Sequence, residues 1–127
     1  MTGRVVHFEI PYDDGDRARG FYDKAFGWNL MQLPEMGYTL VMSGPSGDQG
    51  PTEAGFINGG MMQRQEPFTA PNIVIDVANI EDALKAVNEA GGTTVSERQA
   101  VGDMGFAAYF RDPEGNLIGL WETAPSG

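Results

Sequence analysis

The sequence predicts an α+β fold of two βαβββ modules, in which a curved mixed sheet surrounds a cup and both helices lie on the convex side. Two observations predict this fold. Each half opens with a short alternating strand, continues with an amphipathic helix that ends at glycine, and then carries further short strands. The opening stretch is also repeated, because His7 aligns with Asn72 without a gap.

The first strand carries its apolar residues on one side. Val6, Phe8 and Ile10 share one face, which we expect to pack under a helix, whereas His7 and Glu9 point to the opposite face. His7 is the only histidine in the chain. The concave face that carries these two side chains is where we expect a ligand to bind.

Asp13 or Asp14 is expected to cap the first helix, and Gly27 to end it. Three strands are predicted after it, at 28–33, 37–43 and 54–62, and the glycines of the last one leave room for a ligand or another backbone. The segment between the last two strands is a loop by composition. The apolar stripe of the helix, which we expect to be core, consists of Ala18, Phe21, Tyr22 and Ala25.

The second half follows the same plan. Asn79 is expected to cap a helix that ends at Gly91 and Gly92, and Met104 aligns with Met36 after a short insertion. Its stripe is Ile80, Ala83, Leu84 and Val87, and its strands are predicted at 72–77, 93–97, 104–110 and 117–122. We therefore predict a single domain over 1–127, with module one at about 1–65 and module two at about 66–124.

Composition excludes several classes of function. The net charge of −10 argues against binding to nucleic acid and to anionic membranes, since both need a surplus of Lys and Arg. The chain has no cysteine, so thiol catalysis and thiolate metal sites are excluded. No apolar run is long enough to span a membrane, and no export signal is recognisable at the N-terminus. We expect a cytoplasmic protein.

Two groups of residues resemble a known family. The first is His7, Asp14, Phe21-Tyr22 and Phe26-Gly27, and the second is the run from Phe110 to Asn116. Together they resemble the vicinal oxygen chelate (VOC) superfamily, which includes glyoxalase I, extradiol dioxygenases, epimerases and bleomycin-binding proteins. The resemblance covers nearly the whole chain, and it implies the fold more strongly than any one reaction. It also implies a homodimer, since family members of this length usually pair.

The resemblance implies four positions for metal ligands, one on the first and one on the last strand of each module. His7 occupies the first position. Asn58 stands at the usual carboxylate position of module one, Asn72 replaces the His or Glu of module two, and Gly119 stands where a Glu is expected. His7 is thus the only retained metal candidate. We expect no metal and no other cofactor, with a divalent metal kept as the alternative.

We therefore predict a metal-independent small-molecule-binding protein of the glyoxalase/bleomycin-resistance type, which holds an apolar, aromatic or cationic metabolite or antibiotic. Trp121 shares parity with Gly119 and either lines the cup or fills space between modules or protomers. The predicted ligand-binding residues are His7, Glu9, Phe56, Asn58, Met62, Asn72 and Trp121.

The alternative is a VOC-type lyase, isomerase or dioxygenase-like enzyme. It would use either a divalent metal or His7 and Glu9 as a catalytic acid–base pair. Side chains two residues apart on one strand start about 7 Å apart, so direct pairing of His7 with Glu9 is not assured. Whether the protein is an enzyme stays open at this point. His7 also has a structural interpretation, as a partly buried histidine that hydrogen-bonds to Glu9, Asn72 or the backbone.

Overall fold

The computed structural model describes residues 3–125, which form two compact units. The N-terminal module is His7–Pro71, and the C-terminal module contains the described residues before His7 and those from Asn72 onward. The elements of the described chain are β1 (Val5–Tyr12), α1 (Gly15–Phe26), β2 (Asn29–Leu33), β3 (Tyr38–Met42), β4 (Ser46–Gly47), β5 (Gly50–Pro51), β6 (Asn58–Gln63), β7 (Asn72–Asp76), α2 (Ile80–Glu89), β8 (Thr93–Val101), β9 (Gly105–Arg111) and β10 (Leu117–Thr123).

The N-terminal module contains a mixed sheet in the order β2-β3-β6-β1. β1 runs parallel to β6, with His7 opposite Asn58, whereas β3 runs antiparallel to β6, with Tyr38 opposite Met62. β2 pairs antiparallel with β3 at the edge of this sheet. These registers decide which side chains share a face, because paired residues in neighbouring strands point to the same side.

Helix α1 covers the face of this sheet that carries Thr39. The Asp14 side chain caps the helix by accepting a hydrogen bond from the Arg17 N–H, and Gly27 ends it in the left-handed conformation, as predicted. Arg19 reaches from the helix to donate to Thr39 Oγ1 over 3.3 Å. Beneath the helix lie fully buried Val41, Met61 and Thr39. His7 and Glu9 therefore lie on the face away from α1, as the alternation predicted.

The predicted core stripe of α1 is wrong for Phe21 and for Ala25, which are both exposed. The Phe21 side chain is 57% exposed, and none of the twelve described residues of this helix is fully buried. Tyr22 is half-buried and stacks on Trp28 at 4.7 Å between ring centroids, which attaches the helix through one aromatic pair. Phe26 is 64% exposed. The 3.6-residue period identified the helix but not how far it is buried.

The C-terminal module contains a second mixed sheet, in the order β7-β10-β9-β8. Helix α2 covers one face, and its N-terminus is satisfied twice: Asn79 Oδ1 accepts from the Asp82 N–H, and Glu122 Oε1 accepts from the Ile80 N–H at 2.8 Å. The buried core under this helix consists of Ile80, Leu84, Ala108, Phe110 and Leu120.

The repeat is confirmed at the level of elements, since each module is one helix and one four-stranded mixed sheet. The alignment of Met104 with Met36, which matches Tyr38 with Phe106, is wrong by one residue. Tyr38 lies on the face away from its helix, but Phe110 and its row lie in the core under α2. The row that matches Tyr38 is therefore the one with Tyr109, which pairs with Gly119.

Several predicted boundaries also differ. The glycine-rich strand β6 begins at Asn58 rather than at 54, β8 extends to Val101 rather than to 97, and the loop after β3 contains the short pair β4 and β5. Within residues 3–125, no helix is both long enough and apolar enough to span a membrane.

Candidate functional site

One face of the N-terminal sheet carries most of the predicted site residues. The register places His7 beside Asn58 and Glu9 beside Gly60, all on the side away from α1. Strand β3 adds Tyr38, Leu40 and Met42 to the same side, because Leu40 pairs with Gly60. The face is thus polar along β1 and largely apolar along β3.

Three side chains on this face form a hydrogen-bond chain. His7 Nε2 lies 2.8 Å from the Tyr38 hydroxyl, and that hydroxyl donates to Glu9 Oε2 over 3.0 Å. Glu9 is buried, with 5% exposure. The Tyr38 hydroxyl thus links His7 to Glu9 by two hydrogen bonds, in place of a direct His7–Glu9 pair.

The chain fixes the form of the imidazole. A carboxylate only accepts hydrogen bonds, so the Tyr38 hydroxyl uses its one proton on Glu9 and its oxygen accepts from His7 Nε2–H. Nδ1 is then the unprotonated nitrogen of a neutral His7. Among the described residues Nδ1 has no hydrogen-bond partner, so it is available as an acceptor.

Burial lowers the pKa of His7 below its ordinary value of 6.5, and the negative charge of Glu9 opposes this shift. Desolvation is the larger cause, since it penalises the charged imidazolium. The imidazole is therefore neutral at neutral pH. A neutral base with one oriented lone pair accepts a proton or a hydrogen bond from a ligand.

Gly60 makes room for this arrangement. A Cβ at position 60 would lie 1.8 Å from the Tyr38 hydroxyl oxygen, which is far inside van der Waals contact. The sequence predicts room for a ligand or another backbone at the glycine-rich strand, but at Gly60 this room is taken by Tyr38 of the same module. The glycine is required by the site and not by a turn.

The other predicted residues of this module have mixed roles. The Asn58 amide holds the following loop, since its Oδ1 accepts from the Ser43 N–H at 3.1 Å and its Nδ2 donates to Ser46 Oγ at 2.9 Å. Met62 is half-buried on the same face as Tyr38. Phe56 lies before β6, with its ring against Gly44.

Asn72 and Trp121 lie in the C-terminal module. Asn72 is buried, and neither Oδ1 nor Nδ2 of its amide has a hydrogen-bond partner among the described residues. Trp121 is half-buried, packs its ring over Gly105, and donates from Nε1 to Thr123 Oγ1 at 3.1 Å. The Asn72 amide is thus a buried polar group that lacks the partners such groups normally have.

The residues at the family's metal positions do not fit a divalent cation. His7 Nε2 and both polar groups of Asn58 are engaged in hydrogen bonds, and Gly119 has no side chain. Residues 3–125 contain no group of three or more His, Asp or Glu side chains that could hold a metal. A structural or catalytic metal site needs at least three such donors.

The register also moves the family's metal position on the last strand of module one from Asn58 to Gly60. If His7 is matched with Asn72, the residue that corresponds to Gly119 is Gly60, because β7 pairs Val74 with Gly119 as β1 pairs Glu9 with Gly60. Both modules therefore have glycine at this position, and the space holds the ring of Tyr38 in the first module. A carboxylate side chain at position 60 is incompatible with that tyrosine.

Two acidic residues of the C-terminal module, Glu122 and Asp112, have structural roles. Glu122 caps α2 and pairs with Arg98 at 3.0 Å, and these hydrogen bonds lower its pKa below the usual range. It does not replace the carboxylate that is missing at position 119, because its side chain is engaged with the N-terminus of α2 and with Arg98. Asp112 accepts from the Glu114 and Asn116 N–H groups and thereby closes the turn before β10.

Sequence reasoning missed Tyr38 and Gly60 as site residues. The sequence does contain their signal: Tyr38 opens an alternating strand, and Gly60 lies in a run of glycine that has no turn to make. What was missing was the register between β3, β6 and β1, which brings the two positions together.

Comparison with families and relatives gives two sequence matches. Residues 4–44 match the family model described as bleomycin resistance protein-like N-terminal. A glyoxylase-like domain-containing protein from Didymella fabae is 30% identical over 119 residues, which cover 91% of this chain and 91% of that protein.

Solved structures share the fold at low sequence identity. A hypothetical protein from Bacillus halodurans C-125 superposes with a TM-score of 0.68 at 16% identity, covering 100% of this chain and 99% of the other. A glyoxalase/bleomycin resistance protein/dioxygenase superfamily member from Vibrio splendidus 12B01 gives 0.62 at 18% identity, with coverage of 96% and 99%. A variant of the methylmalonyl-CoA epimerase of Streptomyces coelicolor gives 0.66 at 16% identity, with coverage of 98% and 96%.

Proposed function

Because the chain belongs to the vicinal oxygen chelate superfamily, the group of glyoxalase-like and bleomycin resistance proteins, we propose that it binds a small molecule without a metal ion. The ligand is an apolar, aromatic or cationic metabolite or antibiotic. It contacts the sheet face that carries His7 and Glu9.

The observation that carries this proposal is the His7–Tyr38–Glu9 chain. In this chain the Tyr38 hydroxyl donates to Glu9 and accepts from His7 Nε2–H, which leaves His7 Nδ1 as an oriented acceptor. An N–H or O–H group of the ligand donates to that nitrogen. One fixed polar contact on a largely apolar surface is the usual composition of a small-molecule site.

The surroundings of the chain favour a flat or apolar ligand. Leu40, Met42 and Met62 lie on the same face and are half-buried, so part of their surface is open. Methionine thioethers adapt to irregular shapes and make favourable contacts with aromatic rings. The net charge of −10 adds a general preference for a cationic ligand over an anionic one.

Binding is tested by calorimetric titration of chelator-treated protein against bleomycin and a panel of cationic and aromatic natural products. We expect at least one binder, with affinity at least about tenfold weaker in Tyr38→Phe, which loses the hydroxyl that links His7 to Glu9. The matched control is Met104→Ala, a truncation of an exposed side chain in the other module. The absence of any binder in a broad panel would contradict the proposal.

Metal independence has its own test, since the two parts of the proposal can fail separately. Elemental analysis of protein purified without chelator is expected to give far less than one divalent metal per chain. Near-stoichiometric Ni, Zn, Fe or Mn that is lost in His7→Ala would overturn it and favour a VOC-type metal enzyme.

A second candidate is an acid–base isomerase that uses His7 as the base. The observation in its favour is the lowered pKa of His7, which keeps a free imidazole beside the buried Glu9. Several structural neighbours are methylmalonyl-CoA epimerases. Exchange of solvent deuterium into methylmalonyl-CoA that is present in the wild type and absent in His7→Gln would establish this alternative. If the wild type shows no exchange, the isomerase is ruled out for this substrate and the binding function is retained.

We further propose that the protein is a cytoplasmic homodimer. The family is commonly dimeric, and the absence of cysteine agrees with a reducing compartment. Exposed aromatic side chains on α1, notably Phe21 and Phe26, agree with an association surface. A light-scattering mass equal to one chain at micromolar concentration would contradict the dimer.

A further inference from the structure

The outer face of α1 has a groove that the functional site does not use. The groove is open, has a volume of about 490 Å³, and is lined by Asp16, Arg17, Gly20, Phe21, Lys24 and Ala25. These residues follow helical spacing around Gly20, so they form one continuous surface of the helix. Its position away from the sheet means that nothing in the N-terminal module fills it.

Gly20 creates the groove, and the module does not require a glycine there. A Cβ at this position would meet no atom within 4 Å, and the residue lies inside a helix without a positive φ. Glycine in a helix interior is destabilising relative to alanine. A glycine at this position is explained if a helix from outside the module packs against it, since small residues let two backbones approach closely.

The charges on either side of Gly20 are self-complementary. If a second α1 crosses antiparallel at Gly20, Asp16 lies opposite the partner's Lys24, and Arg17 lies opposite the partner's Asp23. Every such contact occurs twice in a two-fold dimer, which gives four pairs of opposite charge. Asp16 is open for this role, because its side chain is 96% exposed although it also pairs with Arg19 at 2.9 Å.

An apolar side chain flanks the same crossing. Phe21 lines the groove and is 57% exposed, and its ring contacts Tyr22 edge-on at 5.0 Å between centroids. A second helix lying over Gly20 removes the Phe21 ring from water, which is the main source of favourable free energy in protein association. Charge order and apolar area thus both favour a copy of the same helix as the occupant.

We propose that the outer face of α1 is the surface through which two copies of this chain associate, with the helices antiparallel and crossing at Gly20. This inference rests on the proposed homodimer and names its contact surface. It is independent of the small molecule, because the His7 face lies on the other side of the sheet from α1.

The first test fills the groove. Gly20→Leu is compared with Ala86→Leu, which adds a larger side chain to an exposed position of the other helix. By light scattering over a concentration series, wild type and Ala86→Leu are expected to have the mass of two chains, and Gly20→Leu the mass of one. Circular dichroism establishes that both variants keep their helices, which Leu favours over Gly.

The second test uses charge. Asp16→Lys and Lys24→Asp each place like charges in two symmetric contacts and are expected to weaken association about tenfold, whereas the double variant restores opposite charges and returns to within about threefold of wild type. A wild type of one-chain mass would refute the dimer and this surface together. A wild-type dimer that persists in Gly20→Leu, or a double variant without rescue, would refute this surface alone.

Discussion

Tyr38 lies between His7 and Glu9 and accepts from one while it donates to the other. This phenol sets the tautomer of the imidazole and donates a hydrogen bond to a carboxylate that is only 5% exposed. At the scale of the residue, therefore, the chemistry of the candidate site depends on a side chain that the family's ligand pattern does not include. Two predictions belong to this scale.

The first concerns pH. Because the pKa of His7 is lowered in the folded state, the unfolded chain binds the proton first as pH falls below about 6.5. The free energy of unfolding is thus unaffected above that pH and decreases below it, by at most about 1.4 kcal/mol per pH unit.

The control for this prediction is His7→Gln, which is expected to lack the slope between pH 6.5 and 5 in urea unfolding. Asp112 and Glu122, whose pKa values are also lowered, contribute only at more acidic pH, below their ordinary values of 3.8 and 4.5. Parallel curves for the two proteins in the window above pH 5 would show that His7 is not desolvated as described.

The second residue-scale prediction concerns Gly60. Gly60→Ala forces the Tyr38 hydroxyl away and is expected to cost about 1–3 kcal/mol of unfolding free energy, as overpacking does. Gly47→Ala is the matched control, since its Cβ meets only the Thr52 side chain at an ordinary 3.5 Å. Equal stability of the two variants would mean that the space at Gly60 is not needed.

At the scale of the element, the two helices differ in how they are held. Leu84 and Ile80 of α2 are buried in a core of five residues, but α1 is attached mainly by Arg19 and by Tyr22. Similar apolar stripes in the sequence therefore correspond to unequal burial. An apolar stripe indicates which face of a helix turns toward the sheet. How deeply that face is buried depends on the side chains of the sheet that pack against it.

This difference predicts unequal effects of truncation. Leu84→Ala is expected to destabilise the protein by about 2–5 kcal/mol, because it leaves a cavity in the core. Phe26→Ala removes a larger side chain, but one that is 64% exposed, and is expected to cost about 1 kcal/mol or less. Urea unfolding at fixed protein concentration measures both, and a loss for Phe26→Ala as large as that for Leu84→Ala would contradict the described burial.

Most helices and strands could be predicted from the sequence, because the residues that begin and end them are close together in the chain. The caps Asp14 and Asn79 and the left-handed Gly27 lie where the pattern predicted them. The faces of the strands are less local: alternation gives two faces but does not say which one turns to a helix. The alignment of Met36 with Met104 therefore pairs Tyr38 with Phe106, although its counterpart lies in the row of Tyr109. Register is a property of strand pairs, and single-strand patterns do not contain it.

At the scale of the whole molecule, family membership fixes the fold and leaves the reaction open. Proteins of similar fold include an epimerase and a hypothetical protein, and function has to be argued from the site. The sequence placed His7 correctly on the face away from α1. The sequence did not show that His7 Nε2 is already hydrogen-bonded, because its partner Tyr38 lies on another strand.

The most direct test of the account uses the fact that His7 is the only histidine. In tag-free protein labelled with ¹⁵N-histidine, two-bond ¹H–¹⁵N spectra report the protonation of both ring nitrogens. We predict a protonated Nε2 and an unprotonated Nδ1 at pH 7, unchanged by one equivalent of Zn²⁺. The opposite tautomer, or a shift of either nitrogen on stoichiometric addition of Zn²⁺, would contradict a metal-independent site built on the His7–Tyr38–Glu9 chain.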